Sequence, residues 1–80
     1  MTILVLDGGL LGDALVRAGD EDVIVVDLSA ERLERLEQEA RDPRAFFLIG
    51  EPAILPLPDH SVDTAVGDAV EPELRRVLKR

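Results

Sequence analysis

Apolar residues in this chain fall into two kinds of pattern. Ile3-Leu4-Val5-Leu6 and Val23-Ile24-Val25-Val26 are runs without alternation, as expected of strands buried on both faces. Between them Leu11, Ala14, Leu15 and Ala18 recur at helical spacing. Ile3 to Asp27 therefore reads strand–helix–strand with a right-handed crossover. Such a unit sets a glycine turn and a helix N-terminus at the carboxyl end of its first strand, where open α/β sheets take ligands. A longer helix follows, with Ser29 as N-cap and Glu31 in its first turn. Ala30, Leu33, Leu36 and Ala40 form its apolar stripe, and Glu31–Arg35 and Glu37–Arg41 are expected ion pairs at (i, i+4) spacing. Asp42-Pro43 ends it. Ala45 to Ile49 reads as a third strand. Pro52, Pro56 and Pro58 keep Glu51 to Ser61 an extended loop. Val62 to Val66 is a shorter fourth strand, and Pro72 opens a last amphipathic turn or two through Leu74, Val77 and Leu78. The pattern predicts an α/β fold: a small, mostly parallel sheet of about four strands with helices on both faces.

Composition narrows the chemistry. With 80 residues, the chain reads as a single minimal domain over residues 1–80, near the lower limit for a core without staples. There is no Cys, hence no disulfide framework, thiolate zinc site or cysteine nucleophile. His60 is the sole histidine, so a histidine metal cluster is excluded too. A net charge of −8 argues against nucleic acid and anionic membrane as partners, since both require a basic footprint. No basic leader with a long apolar stretch is seen, so a soluble, cytoplasmic protein is expected.

Three groups of residues are candidates for chemistry. Gly8, Gly9 and Gly12 either allow a tight strand-to-helix turn or admit a ligand to the backbone, with Gly12 permitting close helix–strand packing. The spacing Asp7-x-Gly9-x-x-Gly12 matches the dinucleotide fingerprint with its first glycine replaced by Asp. Asp27 closes a buried strand where an acid can accept both hydroxyls of a ribose; its alternative is an Asx-type cap for the helix that follows. Asp59, His60 and Ser61 invite a triad reading, but neighbours on an extended loop point apart and fail its geometry. Asp63 is expected to pin the start of the fourth strand.

Gly50 to Val66, GEPAILPLPDHSVDTAV, resembles the loop after the third strand in class I S-adenosylmethionine-dependent methyltransferases. VIVVDLSAERLERL is similar to that family's second strand, its ribose-binding acid and the next helix, and RRVLKR to the segment leading into its fifth strand. The resemblance implies a Rossmann-like sheet of order 3-2-1-4 and S-adenosylmethionine as cofactor. It implies a donor site made of Asp7, Gly8, Gly9, Gly12, Asp27, Leu28 and Glu51. Glu51 stands where the family has an Asp that accepts from the adenine amino group, and Leu28 would pack against the adenine face. The family's first motif continues with alternating glycines, where this chain has Leu11 and Asp13. Asp7 separates the ligands on charge: it would repel a pyrophosphate at this turn but suits a sulfonium and an ammonium.

The family also continues into further strands and substrate-binding insertions. The chain is thus expected to match the amino-terminal half of the fold, or a minimised version of it, and to be incomplete for methyl transfer alone. Two other readings stay open: a catalytically silent α/β module, natural or engineered, and a nucleotide-binding (NAD-type) fragment. The expected partner is a small-molecule methyl donor. A homodimer is also expected, through an exposed helix face or the free edge of the fourth strand.

Overall fold

The computed structural model describes residues 2–6, 8–51, 53–67 and 71–79. Strand β1 (Thr2–Val5) leads through a 3-10 turn, Gly8–Leu10, into helix α1 (Leu11–Ala18). Strand β2 (Asp22–Asp27), helix α2 (Ala30–Ala40) and strand β3 (Ala45–Ile49) follow. A long irregular loop then reaches strand β4 (Thr64–Val66), and helix α3 (Glu71–Val77) comes last. The strands form one sheet of order β3-β2-β1-β4, and every pairing is parallel.

The unbroken apolar runs behave as strands with two buried faces should. Ile3, Val5, Val23 and Val25 point to the face covered by Leu11, Ala14 and Ala18 of α1 and Leu33 of α2. Leu4 and Val26 point the other way, against Leu55 of the loop, Val62 and Val77 of α3. Helices therefore lie on both faces, and the second face is covered mainly by irregular chain.

Local chemistry explains where the elements begin and end. Ser29 caps α2, its hydroxyl accepting from the Arg32 N–H at 3.2 Å. Arg41 closes the helix in the left-handed conformation, φ 45°, and its N–H returns to the Glu37 carbonyl. α1 ends at Gly19, whose φ of 61° is a conformation that only glycine adopts without strain. Arg44 completes that end by donating to the carbonyls of Leu15 and Gly19.

Two expectations need correction. The ion pairs Glu31–Arg35 and Glu37–Arg41 are not formed among the described residues. Arg32 instead reaches Asp27 at 3.2 Å, and the Arg41 Nε donates to the Gln38 carbonyl. Exposed pairs at this spacing are worth only about 0.3–0.5 kcal/mol and need not form; Glu71–Arg75 on α3, at the same spacing, does form at 2.6 Å. β4 also starts later than predicted. Val62 lies before the ladder with β1, and its backbone is taken by the C-terminal segment. Its N–H donates to Val77 and its carbonyl accepts from Lys79. Among the described residues no helix is long and apolar enough to cross a membrane.

Candidate functional site

The carboxyl ends of β1, β2 and β3 meet at one rim of the sheet, as the parallel register requires. Asp7, expected there, lies outside the described residues. Gly8 and Gly9 occupy the 3-10 turn between β1 and α1. Gly12 sits exposed in the first turn of α1, and a Cβ placed on it would meet nothing within 4 Å. Close helix–strand packing is therefore not what this glycine is for. The N-cap position of α1 is Leu10, whose apolar side chain makes no capping hydrogen bond.

Asp27 ends β2 with its side chain only 11% exposed. One carboxylate oxygen accepts from the Ser29 N–H at 3.0 Å, and the other accepts from Arg32 at 3.2 Å. The cap anticipated from sequence is thus formed. Each oxygen still has lone-pair capacity, since a carboxylate offers about four acceptor sites.

The end of β3 is held beside Asp27, because the Gly50 N–H donates to the Asp27 carbonyl at 3.0 Å. Gly50 is required here: a Cβ would lie 2.7 Å from Pro56 Cδ and 2.9 Å from its Cγ. Glu51 follows, exposed, and bridges backbone to backbone with Ile54. Leu28 and Ile54 both expose apolar side chains at this end. Ile54 was not anticipated; an unshielded isoleucine in a proline-rich loop is the signal that the sequence offered.

The loop that carries Glu51 is anchored by a network that sequence reasoning also missed. Arg76 donates to the carbonyls of Leu55 and Leu57 and to the carboxylates of Glu73 and Asp59. Glu73 in turn accepts from the Leu55 N–H at 2.7 Å. The hydrogen bonds from Arg76 and then from Leu55 hold the Glu73 carboxyl below its usual range. Glu73, and after it Asp59, push the Arg76 guanidinium upward. The only hint of this in the sequence is a pair of arginines at the helical end of the chain.

The remaining polar candidates are structural. His60 Nδ1 lies 3.0 Å from the Leu78 carbonyl, the Ser61 hydroxyl donates to Pro58, and Asp59 pairs with Arg76. They point apart, as expected, and make no triad. Asp63 accepts from the Thr2 N–H at 2.6 Å and pairs with Lys79. It ties the starts of β1 and β4 together, and the Thr2 bond is the main reason its carboxyl is held down.

This sheet order, with a glycine turn after β1 and an acid closing β2, defines a Rossmann-like α/β domain. Residues 7–70 match the family model described as methyltransferase domain, and the chain belongs to that family. No curated protein matches the sequence. The YcgJ protein from Bacillus subtilis is similar at 27% identity and a TM-score of 0.78, over 99% of this chain and 40% of that one. So is a chain in a complex that contains the Haloferax volcanii Trm112 methyltransferase activator. It has 26% identity and a TM-score of 0.72, over 98% of this chain and 40% of that one. The [4+2]-cyclase SpnF has the same fold, with 22% identity and a TM-score of 0.78, over 98% and 35%. The chain thus spans two fifths or less of the length of these structures.

Proposed function

We propose that this domain holds S-adenosylmethionine at the carboxyl ends of β1, β2 and β3. The observation that carries the reading is Asp27, a nearly buried carboxylate with spare acceptor capacity at the end of a central strand. In this reading it takes the ribose diol. Leu28 beside it packs on the adenine face, and Glu51 accepts from the adenine amino group. Asp7, Gly8, Gly9 and Gly12 form the turn against the amino-acid part of the donor. When bound, the donor supplies an electrophilic methyl on a sulfonium. The contribution of the chain is alignment and desolvation.

Calorimetry tests this directly. S-adenosylhomocysteine should bind, at high micromolar Kd, and NADP should not; tighter NADP binding would sink the assignment. Asp27→Ala should cost about 1.5–3 kcal/mol of S-adenosylhomocysteine affinity, the range for a hydrogen bond to a charged group.

A second reading has its own observation. Both Asp27 oxygens are already engaged by Ser29 and Arg32, as in a module that binds no ligand. Unchanged affinity in Asp27→Ala, with a lowered melting temperature, would favour it.

The reading includes a limit on catalysis. Nothing in the sequence nominates a base or an acceptor pocket, and a groove of about 460 Å³ between α1 and β4, lined by Ile3, Leu10, Asp13 and Val66, is open. The chain alone is therefore expected to transfer no label from methyl-labelled donor to a panel of small-molecule and protein acceptors. Transfer that is lost in Asp7→Asn would show it to be complete. For the expected homodimer, β4 offers a seam of only Thr64–Val66, because the C-terminal segment has taken Val62.

A further inference from the structure

β3 forms one border of the sheet, and nothing in its sequence guards it. Ala45-Phe46-Phe47-Leu48-Ile49 carries no charge and no proline, and Phe46 and Ile49 are 49% and 61% exposed. Natural border strands are usually blunted by charge, proline, a bulge or a cover. On the β4 side the open border is at least short: Asp63 pairs with Lys79 and the C-terminal segment lies along Val62, which leaves only Thr64–Val66.

The ladder shows which groups are open. The Arg44 carbonyl accepts from Val23 and the Gly50 N–H donates to Asp27. By the two-residue repeat, Phe46 and Leu48 also turn their backbone groups to β2, so Ala45, Phe47 and Ile49 turn theirs outward. The Ala45 N–H is taken by the Asp42 carbonyl. The outward N–H groups of Phe47 and Ile49 have no partner among the described residues.

A groove of about 720 Å³ runs along this border, with Ala45 and Phe47 on one side and Glu34, Glu37, Gln38 and Arg41 on the other. Asp42, also in the groove, is neutralised by Arg44 at 2.7 Å. Arg41 is turned to the Gln38 carbonyl. Glu34 and Glu37 are left as acids without an ion pair among the described residues.

We infer that the β3 border takes an extended strand from a basic partner, a segment in which apolar residues alternate with Lys or Arg. Its backbone completes the hydrogen bonds of Phe47 and Ile49. Its apolar residues cover Phe46 on one face, and its cations meet Glu34 and Glu37 on the α2 face. A second copy of this chain fits less well. Two-fold pairing of β3 with itself puts both α2 helices on the same face of the seam. The carboxylates of Glu34 and Glu37 then confront those of their mates, between chains that each carry −8.

The experiment uses the full chain and three short fluorescent peptides: alternating Lys and Val, alternating Glu and Val, and alternating Lys and Pro. The Lys/Val peptide should raise anisotropy on binding, weaken with salt, and slow amide exchange at Phe47 and Ile49. The other two should do none of this. Glu34→Lys with Glu37→Lys, both exposed helix positions, should weaken the Lys/Val peptide by roughly tenfold without changing the melt. Ile49→Pro, which removes an outward N–H, should weaken it as well. Equal binding of the Lys/Pro peptide would reduce the effect to bulk charge and overturn the inference. So would indifference to the charge reversal. Concentration-dependent protection of Phe47 and Ile49 without any peptide would assign the border to a second copy instead.

Discussion

Asp27 shows how much a single carboxylate can be asked to do. It closes β2, starts α2 through Ser29, and pairs with Arg32, all at the position proposed for the donor ribose. Arg44 and Arg76 each join segments that are distant in sequence. Arg44 joins the α2–β3 turn to the end of α1, and Arg76 joins α3 to the proline-rich loop. A guanidinium suits this work because its fixed fork of donors satisfies several carbonyls at once. Replacing Arg76 with Gln would strand the Leu55 and Leu57 carbonyls and leave Glu73 without its cation. We expect a lower melting temperature and faster amide exchange and proteolysis across residues 53–61. Arg76→Lys should rescue this only in part, lacking the fork. Unaltered exchange in that loop would show that Pro56 and the buried Leu55 anchor it by themselves.

Among the elements, α2 shows most clearly which local signals governed. Ser29 caps it as its residue type predicts, and the apolar stripe faces the core, but the helix ends through a non-glycine residue in the left-handed region. Holding Arg41 there costs about 1 kcal/mol or more, and its Nε bond to Gln38 returns little at an exposed site. Arg41→Gly should therefore raise stability by about 1 kcal/mol. For a domain of this size that is a melting temperature higher by about 4–8 °C. Arg41→Ala should give no such gain, and equal effects of the two would remove the strain argument.

For the molecule as a whole, the sheet separates two apolar clusters, one closed by helices and the other largely by loop and tail. Charged groups tie down both sides, Arg44 with Asp42 at the end of α1 and Arg76 with Glu73 on the loop, so the fold should respond to acid. The hydrogen bonds that Arg44 makes, from its side chain and then its backbone, draw the Asp42 carboxyl from 3.8 down to about 2. Those of Asp63 and Glu73 are held below 3.8 and 4.5 respectively. A carboxyl with a lowered folded-state pKa is protonated more readily in the unfolded chain, so acid favours unfolding. The stability from these groups is complete above about pH 5, is lost as pH falls from about 4.5 toward 2, and then levels off. Urea melts across that range should show a falling midpoint. A midpoint that rises throughout would mean that relief of the net negative charge outweighs these bonds.

Sequence alone determined much of this fold. Unbroken apolar runs specify strands buried on both faces, helical spacing specifies α1 and α2, and glycine and proline mark the breaks. Parallel strands with short crossovers leave few topologies, and the resemblance of the Gly50–Val66 loop pointed to the sheet order and the family. What sequence could not reveal depends on meetings between distant residues. It did not show that Arg44 and Arg76 would find carbonyls across the fold, that Val62 would pair with the tail, or that Glu37 and Arg41 would stay apart. Spacing reports which groups can meet along one element. Only the tertiary structure decides which partner wins, because that depends on burial and on the competing bonds that the rest of the chain brings within reach.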